Sequence, residues 1–385
     1  MSVVFVDGFD HYAGTTPAQV LYKYDTYRSG GVTIGTANPR RPDGRHLVLD
    51  SNITLYGYVT KEITAAQTVV IGFGMRFAAL TDHKGFWIRD NLTTQCSAYV
   101  QSDGSIKVFR GSDTGTLLGQ SSAGVITANT WHYFELKIYI DNAPNGTYDV
   151  TIDGATVLSG TGDTQASGSA TADVVYLRGC GGTSGGDVFI DDLYIDNADL
   201  YGDCRVDTLW PDGAGNSTGF TPVPSGTDNY ANIDDDNDID DDTTYNIGTT
   251  AAESDLFTMD DLGALFSPGT SDEAGIYALA LSICAKKDQS GEVDFRPECR
   301  DNGGNYVPTG YDLLDGEYSI VQEIWDAPPS SSSTAWVESS VNAVELGYFL
   351  FTNADQYVTQ VVGEVLRENG DGSEPSTSGT TVIMS

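Results

Sequence analysis

The side chains that could do chemistry in this 385-residue chain are mostly carboxylates: 55 Asp and Glu stand against 19 Lys and Arg, with 4 His and 5 Cys. Glycoside hydrolysis on a β-sandwich needs two carboxylates about 5 to 9 Å apart, usually from acids alternating along one strand face. The string E-x-D-x-x-E, which supplies such acids in one subgroup of sandwich hydrolases, is absent. Asp191 and Asp192 are adjacent, so they point to opposite faces unless a bulge intervenes, and Asp187 with Asp191 lack a Glu partner. They read as edge or turn residues, and no catalytic residue is assigned.

Gly182-Thr183-Ser184-Gly185-Gly186 has the form G-x-S-x-G, but a strand pattern follows it and His11, His46, His83 and His132 all precede it. A nucleophile elbow needs a helix after the Ser and a His further on, so this is a Gly-rich loop. There is no phosphate loop ending in Gly-Lys-Ser or Gly-Lys-Thr and no H-E-x-x-H, which leaves nucleotide and zinc chemistry without residues. Calcium is the one cofactor the composition admits. The candidate ligands are Asp234, Asp236, Asp238, Asp240 and Asp242, hard oxygen donors in one run, though a solvated acidic loop reads the same way. The run is not an EF-hand: counted from Asp236, the Gly position holds Asp241 and the final Glu position holds Ile247. Tyr22, Tyr24 and Tyr27 fit a sugar-stacking strip, an interface patch or core packing.

The elements that must carry these residues are strands. With Gly 44 and Tyr 21 against Met 4, the composition favours strands and tight turns. Phe134, Leu136, Ile138 and Ile140 alternate with Glu135 and Lys137, and Val69, Ile71, Phe73, Met75 and Phe77 alternate with Gly72, Gly74 and Arg76, so each segment has one core face. Glycine at 72 and 74 predicts a bent or crowded strand. Asp103-Gly104 and Asp153-Gly154 suit type I′ hairpin turns. Further strands at Val174 to Leu177 and Val188 to Ile195 complete a two-sheet sandwich over residues 1–200. Residues 201–265, with their Asp-rich run, read as an acidic polar connector or long loop. Strand patterns return over 266–368 as a second β domain, in which Trp336 anchors the end of a Ser-rich loop. Residues 369–385 have the composition of a polar tail.

A formal net charge of -36 sets the surface against nucleic acid and anionic lipid. No apolar stretch approaches a membrane span, and the start has no secretion-signal pattern, which predicts a protein made and kept in the host cytoplasm or released from it by lysis. Cys96, Cys180, Cys204, Cys284 and Cys299 are widely spaced without C-x-x-C and read as reduced thiols.

Thr130-Trp131-His132-Tyr133-Phe134-Glu135-Leu136-Lys137, then Val150-Thr151-Ile152-Asp153-Gly154 and Val188-Phe189-Ile190-Asp191-Asp192-Leu193-Tyr194-Ile195, resemble the concanavalin A-like (laminin G-like) jelly roll. Phe5-Val6-Asp7-Gly8-Phe9-Asp10-His11-Tyr12 is similar to the first strand of such domains in tailed-bacteriophage particle proteins. The segments around Trp210-Pro211-Asp212-Gly213 and Ala335-Trp336-Val337 look like a recurring domain of the same proteins. The resemblance implies an all-β fold, a jelly-roll sandwich followed by a second, smaller β-rich domain. It also implies a virion structural protein that is not an enzyme: capsid decoration or another exterior component, a homo-oligomer in contact with other virion proteins. The alternatives are a tail- or fibre-associated adhesin that binds host surface glycan, and a glycoside hydrolase, because this fold hosts all three activities.

Overall fold

A computed structural model describes residues 3–369 except 13–21, 29, 43, 52–55, 82–83, 180–185, 235–238, 240, 266–274, 292, 309 and 314. The fold is all-β: strands between residues 3 and 196 form two antiparallel sheets, and strands between 204 and 368 form two more.

In the first half, the eight-stranded sheet runs Ala155–Gly162, Gly146–Ile152, His132–Tyr139, Thr68–Phe77, Val188–Asp196, His46–Leu49, Val32–Gly35, with Val3–Asp7 also paired to Val188–Asp196. The seven-stranded sheet runs Thr116–Gln120, Ile106–Arg110, Thr93–Val100, Lys84–Asp90, Ala172–Arg178, Tyr58–Ala66, Thr26–Tyr27. Their inner faces close one core, in which Ile71, Phe73, Met75, Phe134, Leu136 and Ile138 meet Phe86, Ile88, Val175 and Leu177. This is the two-sheet sandwich expected from alternation, with the jelly-roll fold that the resemblance implies. The crowding expected at glycine is also present: a Cβ on Gly72 would lie 2.1 Å from the Tyr194 ring, so only glycine lets that tyrosine cross the strand.

Asp153 and Gly154 both have positive φ, 51° and 75°, the geometry of a type I′ turn between Ile152 and Ala155. The Asp103 hairpin differs from expectation. Of its turn residues only Gly104 has positive φ, its N–H donates to the Gln101 carbonyl at 3.0 Å, and the Asp103 carboxylate accepts from the Ser105 N–H and hydroxyl at 2.9 and 2.7 Å. The aspartate side chain closes this turn in place of a second left-handed residue.

In the second half, a six-stranded sheet centred on Gln356–Glu368 and Ile276–Lys287 faces a five-stranded sheet centred on Glu345–Leu350, around Phe257, Leu281, Phe295, Tyr348 and Val361. Trp336 fills this core and donates its indole N–H to the Trp325 carbonyl at 2.7 Å. Residues 201–265, expected as a connector, instead contribute the strands Cys204–Leu209, Pro211–Thr218, Thr221–Val223, Tyr245–Gly248 and Ser254–Met259. The acidic count misleads because acids on these strands find individual partners. Asp255 accepts from the Gly219 and Phe220 N–H groups, Asn229 and Tyr348, while Asp207 pairs with Arg41 and Arg367.

The outer face of the eight-stranded sheet packs on the second half through Val3, Val6, Val70, Tyr133 and Tyr194 against Cys204, Val206, Ala278, Ala280 and Leu366. Buried charge crosses the same seam. Lys23 donates to Glu364 at 2.6 Å and lies 3.5 Å from Asp7, and Glu364 also accepts from the Gly8 N–H at 3.1 Å. Among the described residues, the outer face of the seven-stranded sheet has no such apolar seam with the second half.

Candidate functional site

That outer face holds an unusual set of side chains. Antiparallel register sets Tyr176 opposite Trp87 on one neighbouring strand and opposite Thr60 on the other, and sets Arg178 opposite Tyr58 and Val174 opposite Arg89. Because side chains alternate, the partners of Val175 and Leu177 go to the core while Val174, Tyr176 and Arg178 face out. The rings form a connected row. Trp87 stacks on Tyr176 at 4.9 Å between centroids, Tyr176 on Tyr58 at 5.0 Å, and Tyr58 approaches Tyr56 at 6.4 Å. Trp87 donates its indole N–H to the Tyr99 hydroxyl at 2.7 Å. Both rings lean over Gly85, where a Cβ would come within 2.9 Å of each.

Two arginines bracket the indole. The Arg178 guanidinium lies 3.9 Å from the Tyr56 ring centroid and 5.3 Å from that of Trp87; the Arg89 guanidinium lies 5.2 Å from Trp87 and 4.9 Å from Tyr176. Arg28 adds a third cation over Tyr56 at 5.0 Å. Among the described residues neither Arg89 nor Arg178 has a carboxylate within ion-pair distance, and the buried Nε of each lacks a hydrogen-bond partner. Burial raises the Tyr176 phenol well above its ordinary range, with Tyr56 adding to the effect, so the central ring of the row stays protonated. At the Arg89 end the face dips into a cavity of about 300 Å³ lined by Thr26, Thr60, Glu62, Arg89, Asn91 and Asp173.

The residues singled out in the sequence lie elsewhere. Asp191 and Asp192 sit at a bulge, with Asp192 at φ 50°, and both are buried at the seam between the two halves. Burial and the neighbouring Asp192 push Asp191 well above the carboxylate range; burial also acts on Asp192, but Arg40 and Arg205 outweigh it and hold Asp192 below. Two carboxyls pushed apart resemble an acid–base pair, yet they are sealed under Arg40, which also binds Asp203. Of the calcium candidates, Asp236, Asp238 and Asp240 lie outside the described residues. Asp242 accepts from Lys286 at 2.5 Å and Tyr318 at 3.2 Å, and Asp234 is half-buried. Tyr24 is buried and donates to Asp7, Tyr22 donates to Asp241, and Tyr27 packs on the core, so the three form no strip. Cys96, Cys204, Cys284 and Cys299 are buried and form no disulfide among the described residues, and Cys180 lies outside them. A separate buried group, Asp7, His11 and Glu364, has metal-ligand proximity, but the Lys23 ammonium already supplies its cation.

The aromatic face was missed although its signal was present: Tyr56 with Tyr58, Trp87 with Arg89, and Tyr176 with Arg178 are each spaced by two, which puts each pair on one face of a strand.

These features define an all-β sandwich protein with an open aromatic and arginine-bearing sheet. No protein-family profile matches the chain, and no curated protein sequence matches it. Solved structures similar to it include an alginate lyase (TM-score 0.37, 11% identity, covering 52% of this chain and 99% of that one). An endo-β-1,4-glucuronan lyase from the fungus Trichoderma reesei is similar at TM-score 0.37 and 12% identity, over 51% of this chain and 96% of that one. Domain 4 of an extracellular arabinanase from Geobacillus stearothermophilus, solved with arabinotriose, is similar at TM-score 0.34 and 17% identity, over 50% of this chain and 93% of that one. The expectation of a non-enzymatic virion structural component, drawn from short phage-like motifs, is corrected here. These neighbours are named as lyases and a sugar-complexed domain, and neither a purely structural role nor the absence of an activity is carried forward.

Proposed function

We propose that this chain binds glycan on the outer face of its seven-stranded sheet. The observation that carries the reading is the row Tyr58–Tyr176–Trp87, half-exposed at its ends and running to a cavity of mixed polar and apolar lining, on a broad face of the first sandwich that the described apolar seam with the second half does not include. Such rings offer an apolar body for the C–H faces of a sugar and a polar tip for its hydroxyls. Thr26, Thr60, Asn91, Glu62 and Asp173 at the cavity supply the hydrogen-bonding groups that fix orientation. The resemblance to phage particle proteins supports a tail- or fibre-associated adhesin on host surface glycan as the setting.

Affinity electrophoresis of the full chain in gels containing different polysaccharides tests this. Retardation is expected with at least one of them and is lost in Trp87→Ala and Tyr176→Ala variants that keep the wild-type melting temperature. Equal mobility of wild type and variants in every gel overturns the reading. Chromatography of the polysaccharide recovered from the same incubation shows whether binding is accompanied by chain cleavage.

A further inference from the structure

We infer that the glycan recognised on this face is acidic, and that Arg178 is the residue that reads its carboxylate or sulfate group. The inference rests on the glycan-binding reading and names its ligand class. Its basis is where the chain leaves cations unpaired. With 55 acidic and 19 basic side chains, a cation has acids in excess, and across the seam Arg40, Arg41 and Arg367 each meet one or two carboxylates. On the open face Arg89 and Arg178 meet rings instead, and no carboxylate among the described residues lies within ion-pair distance of either.

A guanidinium stacked on an aromatic ring keeps its planar fork of N–H donors free at the edge, and that fork matches a carboxylate or sulfate bidentately. Two such forks flank one indole, at 5.3 and 5.2 Å from its centroid, and so lie no more than 10.5 Å apart. The two ends of the face differ. Around Arg178 stand the Tyr56 and Trp87 rings, and the nearest described acid on that side, Asp113, lies beyond Tyr99, whose hydroxyl accepts the Asp113 N–H at 3.2 Å; Arg89 instead shares its cavity directly with Glu62 and Asp173. An anion is therefore favoured at Arg178, and Arg89 with the cavity serves sugar hydroxyls. The charge of -36 repels a long polyanion as a whole, so the fitting ligand is a short run of acidic sugars, held where the local cations outweigh the distant field.

Isothermal titration of the full chain with a short oligouronate, with its carboxyl-reduced neutral counterpart and with a sulfated oligosaccharide of similar length tests the inference. The expected result is that a carboxylated or sulfated oligosaccharide binds at least about tenfold tighter than the neutral one. Arg178→Gln then erases that preference, Arg89→Gln weakens all bound ligands alike, and Arg178→Lys restores part of the preference. Both arginines are on the surface face, so the variants are expected to keep the wild-type fold, checked by melting temperature. Equal affinity for acidic and neutral sugars, or a preference that survives Arg178→Gln, overturns the acidic assignment and leaves glycan binding standing. No heat and no retention with any sugar removes the glycan reading itself, and this inference with it.

Discussion

The two outer faces of the first sandwich use the same residue types to opposite ends. On the covered face Arg40 lies over the Tyr133 ring at 4.8 Å and also pairs with Asp192 and Asp203. On the open face Arg178 lies over Tyr56 at 3.9 Å and pairs with no described carboxylate. Burial explains the difference: a guanidinium removed from water needs its counter-charge nearby, whereas one at a wet surface does not. An arginine on a ring is thus a structural element where it is sealed and a candidate ligand contact where it is not.

The largest test of this contrast is Arg40→Leu, which removes the nearer of the cations that hold Asp192 under the seam and leaves Arg205 at 3.7 Å. It is expected to destabilise the chain by about 3 to 5 kcal/mol in urea unfolding, while Arg178→Leu costs less than about 1 kcal/mol. Similar losses for both would erase the distinction. A smaller effect is expected from pH. Burial, with Arg76 adding to it, lowers the pKa of His46 from 6.5 to about 4. A lowered folded-state value means that the unfolded chain takes up the proton first. The contribution is therefore complete above pH 6.5 and is lost as pH falls towards about 4. It amounts to at most about 3 kcal/mol. His46→Phe keeps the edge contacts to Trp131 and Phe189 and should flatten that part of the stability profile, while an unchanged profile would mean other groups govern it. On the covered face, Gly72→Ala should cost about 1 to 3 kcal/mol by forcing Tyr194 aside, measured by thermal unfolding. The smallest stability change is expected for Trp87→Ala on the open face. There, loss of glycan retention without a comparable fall in melting temperature would separate binding from folding.

Strand positions and core faces were legible in the first half because a single period of two separates Phe134, Leu136 and Ile138 from Glu135 and Lys137. Even so, Glu135 is buried: it accepts from Tyr194, Thr151 and the Tyr201 and Gly202 N–H groups, so the polar side of that strand faces another layer and not water. One strand does not reveal which sheet will be covered. For the same reason Asp191 and Asp192 looked peripheral and lie in the seam, and the strands of 201–265 were hidden by acids whose partners are distant in sequence, as Asp207 and Arg367 are. The aromatic face needed pairs on three strands to be recognised as neighbours, which alternation within each strand does not supply.

The Lys23–Glu364 pair joins residues 341 positions apart. During synthesis the first sandwich emerges before its counterpart, so Val70, Tyr133 and Tyr194, with the carboxylates beneath Arg40, stay exposed to water while the second half is being added. A chain stopped after the first sandwich would carry that sticky face permanently, and its solubility would depend on the acidic surface around it.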